Sequence, residues 1–330
     1  MSRALNITST AARDPSAAWS VTCRIGLVSP CRIGQVSTFY YVLTIRSDVA
    51  EAAPYAMGAR GEPHGHTIEG VNMNAAEQHV LPVYDHRRGT GPTLVFLHYW
   101  GGSARTWDLV TDRLAGRDVL TIDFRGWSRS SGLVGPYTLR QLADDTLAVI
   151  ADAHTTDYVL VGHSMGGKVA QLIAATRPAG LRALVLVASG PAKPPAQITP
   201  EYQEGLSHAY DSDESTATAR DHILTATPLS DVLKAQIAAD SRASADAART
   251  EWPLRGIAED ISAHTEMVDV PTLVVAGEND QVEPAEVLRH NLLPYLSGAE
   301  FTVLPNTGHL VPLEAAADLA AAVTAFSPFA

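Results

Sequence analysis

Two cysteines in 330 residues, Cys23 and Cys31, leave everything after them without a thiol. That absence excludes a disulfide scaffold, a zinc ribbon and thiol catalysis for the rest of the chain. Lysine is nearly missing too, at Lys168, Lys193 and Lys234 alone, a compositional bias from which no function follows. Basic residues number 24 against 36 acidic ones, for a formal charge of −12. The basic face that nucleic acid or an anionic membrane requires is therefore not expected. No run approaches the roughly 18 apolar residues of a membrane helix. The longest early apolar run, Phe39 to Ile45, is too short and too far along to be a signal-peptide core, so a cytoplasmic protein is expected. What the chain does have is apolar bulk. Its 46% hydrophobic and 18% charged residues supply a sizeable core and rule out disorder of the whole.

Residues 1–72 differ from the rest of the chain. They carry six basic and five acidic residues, so nearly all the negative charge lies downstream. They contain a near-repeat, Cys23-Arg-Ile-Gly-Leu-Val-Ser and Cys31-Arg-Ile-Gly-Gln-Val-Ser, and a Gly-, Pro- and His-rich tract from Met57 to Gly70. Neither has sustained helical or strand periodicity. The cysteine pair has no second pair at ligand spacing, so neither a metal site nor a disulfide is expected of it. The reading is a poorly ordered extension, with Met73 a natural beginning for the domain.

From about residue 79, strands and helices alternate. Thr93 to His98 is a continuous apolar run bounded by Gly91-Pro92 and Gly101-Gly102, the pattern of a buried parallel strand. Val119–Asp123, Tyr158–Gly162, Ala183–Ala188, Thr272–Gly277 and Glu300–Leu304 read the same way. Between them Leu139, Leu142, Ala143, Thr146, Leu147 and Ile150 share one helical face, with Thr138 and Gln141 at capping-box spacing. Further helices are expected after Ser164, from Glu283 to Leu296 and from Leu313 to Phe326. Such alternation predicts a mostly parallel α/β sheet covered on both faces. One interval breaks the rhythm. About eighty residues between Ala188 and Thr272 hold helix formers, seven prolines and several aromatics but no buried-strand run. A structureless loop of that length is improbable, so residues 192–268 are expected to form a helical insertion over one edge of the sheet. The core then comprises residues 73–191 and 269–330.

The chemistry is concentrated in Gly162-His163-Ser164-Met165-Gly166, which directly follows a strand and directly precedes a helix. A strand-to-helix turn this tight strains the middle residue, and glycines on each side relieve the crowding. Its hydroxyl then projects at the carboxyl edge of the sheet, where open α/β sheets place their ligands, before a helix N-terminus with unpaired N–H groups. Ser164 is therefore the candidate nucleophile. A serine hydroxyl needs a base, and the base an orienting acid. His309 in Asn306-Thr-Gly-His-Leu and Asp280 at the end of Val274-Val-Ala-Gly-Glu-Asn-Asp both follow strands and open at the same edge. Glu278 and Glu283 flank Asp280 as alternative acids. An oxyanion hole needs two backbone N–H donors; the candidates are Met165, after the nucleophile, and Trp100 in the loop His98-Tyr99-Trp100-Gly101-Gly102.

These motifs resemble those of the α/β-hydrolase-fold family, in particular its small esterases and cofactor-free haloperoxidase-like hydrolases. The matching stretches are His98–Gly102, Asp123-Phe-Arg-Gly-Trp-Ser-Arg-Ser130, Gly162-His-Ser-Met-Gly-Gly167, Gly277-Glu-Asn-Asp280 and Gly308-His309, in the family's order, and the resemblance covers about three quarters of the chain. It implies an eight-stranded, mostly parallel sheet, with the insertion acting as a cap over the active site. The sequence departs from the family at Tyr99 and at Ser128, where glycine is usual. Haloalkane dehalogenases and epoxide hydrolases of this fold carry Asp at the position of Ser164, so acyl chemistry is implied instead.

The expected function is hydrolysis of a carboxylic ester, or related acyl bond, of a small molecule through an acyl-enzyme, without a metal or organic cofactor. A lactonase or a carbon–carbon bond hydrolase with the same triad, and a hydrolase-fold ligand receptor with little turnover, are the alternatives; the partner is a small-molecule ester or lactone. Tyr202, Tyr210, Trp252 and Met267 in the insertion, and Trp100 and Trp127 in the loops, either line the pocket or pack the core.

Overall fold

The computed structural model describes residues 80–326. The expectations for the N-terminal segment, its cysteine pair and its histidine-bearing tract lie outside the described residues. Seven strands form one sheet: β1 (Tyr84–Arg87), β2 (Thr90–Leu97), β3 (Arg117–Ile122), β4 (Tyr158–His163), β5 (Leu181–Val187), β6 (Thr272–Gly277) and β7 (Glu300–Leu304). Their order is β1-β3-β2-β4-β5-β6-β7, with only β1 antiparallel to its neighbour. The mostly parallel sheet is thus as expected, although among the described residues it has one strand fewer than the eight implied. The six parallel strands are those announced by the apolar runs. β1 was not anticipated, because Tyr-Asp-His-Arg alternates half-buried and exposed residues at the sheet's edge and contains no aliphatic side chain.

The helices are α1 (Asp108–Thr111), α2 (Leu139–Asp152), α3 (Met165–Ala175), α4 (Pro200–Ser207), α5 (Asp213–Ala219), α6 (Asp231–Arg242), α7 (Asp246–Leu254), α8 (Ser262–Thr265), α9 (Ala285–Asn291), α10 (Val311–Glu314) and α11 (Ala316–Ala325). Alternate residues of the central strands feed opposite faces of the sheet. Val95, Leu97, Leu160, Leu184 and Leu186 pack with Leu142 and Val149 of α2 and Val169 and Ile173 of α3. Leu94, Phe96, Val161, Val185 and Val187 pack with Val110, Val311, Leu319 and Val323 of α1, α10 and α11. Each such side chain contributes about 1.5–3 kcal/mol by leaving water, so the central strands are held rigidly and their carboxyl ends are fixed points.

Thr138 caps α2, its hydroxyl accepting from the Gln141 N–H at 3.2 Å, and Leu139, Leu142, Ala143, Thr146, Val149 and Ile150 are buried. The helix expected from Glu283 to Leu296 is shorter. It ends at Asn291, and a 3₁₀ turn with Pro294 comes next, since proline cannot donate to a continuing helix. The last helix is likewise two pieces, divided at Ala315.

Between β5 and β6 the chain forms α4 to α8 and a π-helical turn at Arg220–Leu224, with no strand. Near its middle this segment is stitched to the loop after β3. The Ser128 N–H donates to Ala243 O at 2.6 Å, and the Ala245 N–H to Gly126 O at 2.8 Å. No helix among the described residues is long and apolar enough to cross a membrane.

Candidate active site

β4 ends at His163 and α3 begins at Met165, so Ser164 alone makes the turn, with φ 52° and ψ −115°. A positive φ is strained for serine, and the packed sheet over-determines it. The Ser164 N–H donates to Val187 O at 3.0 Å, and its carbonyl accepts from Gly167 at 2.9 Å and Gly190 at 3.0 Å. The flanking glycines are required by space. A Cβ on Gly162 would lie 2.4 Å from Gly166 O, and one on Gly166 would lie 2.5 Å from Leu97 O.

The three side chains proposed from sequence meet at this point. His309 Nε2 lies 2.9 Å from Ser164 Oγ, and His309 Nδ1 lies 2.9 Å from Asp280 Oδ2. Ser164, Asp280 and His309 are 5%, 4% and 2% exposed, so water does not screen these contacts. The other Asp280 oxygen, Oδ1, accepts from the backbone N–H groups of Val282 at 2.8 Å and Glu283 at 2.9 Å. Those two bonds orient the carboxylate and leave Oδ2 for the imidazole. A carboxylate there accepts from Nδ1–H, which leaves Nε2 as the acceptor for the serine hydroxyl.

Neither alternative acid bonds to His309. Glu278 instead accepts from the Asn306 N–H at 2.8 Å and steadies the loop that carries the histidine. Glu283 is buried in the wall of the adjoining cavity, and its desolvation, reinforced by the Asp280 charge, pushes its pKa well above the usual carboxyl range.

The loop after β2 is fixed by His98. Its Nε2 accepts the Phe124 N–H at 3.0 Å, so Nδ1 carries the proton and donates to Tyr99 O at 2.7 Å. Burial lowers the His98 pKa and keeps the ring neutral. The N–H groups of Trp100 and Met165 find no acceptor among the described residues. Gly101 has φ +91°, and a Cβ there would lie 2.5 Å from the Tyr210 ring. Tyr99 is not among the residues with positive φ, so its place does not demand glycine; its buried ring sits 5.1 Å from that of His163. Ser128 is different. Its φ of 46° is left-handed, so this departure from glycine carries backbone strain. The surrounding stretch is structural: Asp123 accepts from the Ala104 N–H at 2.7 Å, and Arg125 pairs with Asp145 at 2.6 Å.

Two further residues hold the histidine, and sequence reasoning missed both. His163 Nε2 lies 2.8 Å from the His309 carbonyl and must donate to it, while burial holds the His163 pKa well below its ordinary value. Its place beside Ser164 was the available signal. Glu314 accepts from the Gly308 N–H at 3.1 Å through one oxygen and from Ala226 at 2.8 Å and Thr227 at 2.9 Å through the other. Nothing in the sequence announced a link between residues so far apart.

Ser164 and His309 open on a cavity of about 350 Å³. Trp100 walls it from the loop after β2. Tyr202, Tyr210, Trp252 and several aliphatic side chains wall it from the 192–268 segment, and Val282 and Glu283 from beyond β6. Trp100 is locked in place: its Nε1 donates to Arg249 O at 2.8 Å, and Tyr210 stacks at 4.2 Å while donating its hydroxyl to Trp100 O at 3.1 Å. Met267, at 48% exposed, and Trp127, buried in the core, do not line this cavity. Among the described residues no group of three or more His, Cys, Asp or Glu side chains gathers where it would hold a metal ion.

A model of the alpha/beta hydrolase family matches residues 94–322. The chain is 29% identical over 250 residues to the dihydrolipoyllysine-residue acetyltransferase component of the acetoin cleaving system of Pseudomonas putida, a match covering 72% of this chain and 63% of that protein. The chain thus spans less than two thirds of that relative's length. It is 27% identical over 245 residues to a non-heme haloperoxidase of Rhodococcus erythropolis, covering 67% of this chain and 86% of the relative. Among solved structures, an esterase from Exiguobacterium antarcticum superposes with a TM-score of 0.68 at 20% identity, covering 74% of this chain and 94% of the esterase. That likeness is one of fold.

Proposed function

Because the chain belongs to the alpha/beta hydrolase family, we propose that it is a serine hydrolase that cleaves a carboxylic ester of a small molecule through an acyl-enzyme. The observation that carries the reading is the buried, hydrogen-bonded line from Ser164 through His309 to Asp280, with 2.9 Å at each link, at the floor of an apolar cavity. His309 removes the hydroxyl proton as Ser164 Oγ attacks the acyl carbon, and the resulting imidazolium is stabilised by Asp280. The negative charge on the former carbonyl oxygen is met by the N–H groups of Trp100 and Met165, which have no competing acceptor among the described residues. His309 then protonates the leaving alcohol as its bond to the acyl carbon breaks. In the second half His309 takes a proton from water as the water oxygen attacks the acyl carbon, and returns that proton to Ser164 Oγ as the acyl–serine bond breaks and the acid is released. A lactone is an ester whose alcohol stays attached, so the same steps open it. No step draws on a metal or organic cofactor.

The same reading divides the described chain into a hydrolase core and a cap at residues 192–268. Its support is that this segment supplies Tyr202, Tyr210 and Trp252 to the cavity wall. A cytoplasmic setting is part of the proposal and is tested by fractionation of cells expressing the full chain. The chemistry is tested by a fluorophosphonate. Wild type should be labelled at Ser164 and should turn over p-nitrophenyl esters. Ser164→Ala and His309→Ala should each lose on the order of 10⁶ in kcat, and the double variant hardly more, because the two act as a unit. Labelling that persists in Ser164→Ala would place the nucleophile elsewhere.

A further inference from the structure

Glu283 is the ionisable group beside the site that acyl transfer through Ser164 and His309 leaves unused. Its backbone N–H helps to hold Asp280, at 2.9 Å, while the residue lines the cavity with Ser164 and His309. It is only 4% exposed, and no described group donates a hydrogen bond to its carboxyl. Lys168 lies near enough to interact electrostatically but is committed elsewhere. Its Nζ donates to Gly256 O at 3.0 Å and Ile257 O at 3.2 Å and sits 5.8 Å from the centre of the Trp252 ring. No carboxylate stands within ion-pair distance of it among the described residues.

An ionised carboxylate buried without a donor is strongly disfavoured, and such a group keeps its proton instead. Burial and the neighbouring Asp280 charge both raise the Glu283 pKa, against the weaker pull of Lys168. A protonated carboxyl carries one O–H donor. Around it the wall is largely hydrocarbon, from Leu206, Ile223, Leu224 and Ile257, with the Tyr202 hydroxyl near enough to interact with it electrostatically. Glu201 stands on an exposed turn of α4 and can reach water.

We propose that Glu283 is a specificity-determining hydrogen-bond donor, and that the substrate is an uncharged ester or lactone bearing a second oxygen acceptor, such as a ketone, several bonds from the scissile carbonyl. The proposal rests on Ser164 and His309 marking the reacting end of the cavity. A site that hydrogen-bonds one substrate group rejects the analogue lacking it, because the buried protein group is then left unpaired. Glu283 therefore penalises simple alkyl esters that would otherwise suit the apolar wall.

The test compares the methyl esters of 4-oxopentanoate, 5-oxohexanoate and 6-oxoheptanoate with isosteres in which a methyl branch replaces the ketone oxygen. In wild type, kcat/KM should favour at least one oxo ester over its isostere by about tenfold or more. Glu283→Gln, which keeps an N–H donor, should retain most of that ratio, and Glu283→Leu should bring it to about one by accelerating the alkyl ester. The same pairs titrated into Ser164→Ala, and into Ser164→Ala/Glu283→Leu, read the contact as a ratio of Kd without turnover. If Ser164 is not labelled by fluorophosphonate yet the binding ratio holds, the hydrolase reading falls and the Glu283 donor stands as a binding contact alone. If labelling succeeds and the wild-type ratios are near one, the proposal is overturned. A ratio that survives in Glu283→Leu, or a preference for an amino-bearing ester, also overturns it.

Discussion

Ser164 comes directly after β4 and Asp280 lies three residues past β6, both strands buried throughout, while His309 lies five past β7, the edge strand paired along its length with β6. Tyr202, Tyr210 and Trp252 face them from α4, the turn after it and α7, elements held by scattered single bonds. Examples are Gln203 to Pro253 O at 2.9 Å, Arg242 to Tyr210 O at 2.7 Å and Trp100 to Arg249 O at 2.8 Å. The sheet side is positioned by its backbone ladder, the helical side by side-chain bonds together with the short backbone seam at Gly126 and Ser128. The two regions should therefore fail differently when altered. Changes at the strand ends should abolish chemistry in a folded protein, and changes in the helices should alter what fits.

After the losses at Ser164 and His309, the largest expected effect is at Asp280. Asp280→Asn keeps an oxygen for the N–H groups of Val282 and Glu283 but spoils the charge and tautomer support of His309. A fall in kcat on the order of 10⁴ is expected, with circular dichroism unchanged. A loss below about tenfold would break the comparison, because the strand ends would then not carry the chemistry.

Next is the pH dependence of stability, where Glu283 stands on the sheet side and faces the helices. Its folded pKa is raised by burial and by Asp280 above the unfolded value of about 4.3. Between the two values the folded protein holds a proton that the unfolded chain has released. Stability from this group is thus fully present below the unfolded pKa and falls as pH rises, by up to about 1.4 kcal/mol per unit. Glu283→Gln removes that slope. The variant's advantage in denaturant midpoint should grow as pH rises from 4.5 and level off once the folded carboxyl ionises, and a constant difference would show that the carboxyl is already ionised when folded.

Legibility in the sequence divides along the same line. The apolar runs announced every parallel strand, and the residues at their ends were nameable because a turn with glycines on both sides is a local pattern. Asp280 needed more than pattern. Three acids lie within six residues, and what selects among them is the capture of Oδ1 by two backbone N–H groups, a geometry spacing does not encode. Tyr202 and Met267 were indistinguishable as aromatic or apolar residues of the 192–268 segment. Their fates, one in the cavity wall and one at 48% exposure, are decided by how helices dock far from either. Glu314 joins Gly308 to Ala226 across such a docking, and no local signal marks it.

A smaller effect is expected from the helical side. Tyr202 is 41% exposed and contributes one wall of the cavity. Tyr202→Ala should raise KM by about tenfold, the equivalent of roughly 1.4 kcal/mol of lost apolar contact, with kcat changed by less than about threefold. Steady-state kinetics would separate the terms, and a fall in kcat as deep as that of Asp280→Asn would erase the distinction between the regions.

The smallest effect concerns the seam between them. Ser128 belongs to the loop after β3, yet its N–H donates at 2.6 Å to Ala243 O, beyond the end of α6. Its φ of 46° costs a residue with a Cβ about 1–2 kcal/mol, whereas glycine adopts it freely but gives up about 0.5–1 kcal/mol more chain entropy on folding. The balance favours Ser128→Gly by roughly 0.5–1 kcal/mol, or about 1–4 °C in melting temperature for a domain of this size. The N–H remains, so the bond to Ala243 and the position of the helical segment should be preserved, and KM should not move. A higher melting temperature with unchanged KM would show that the seam holds the helices by its backbone alone. If KM shifts with it, the serine conformation itself sets where the helical wall stands over Ser164.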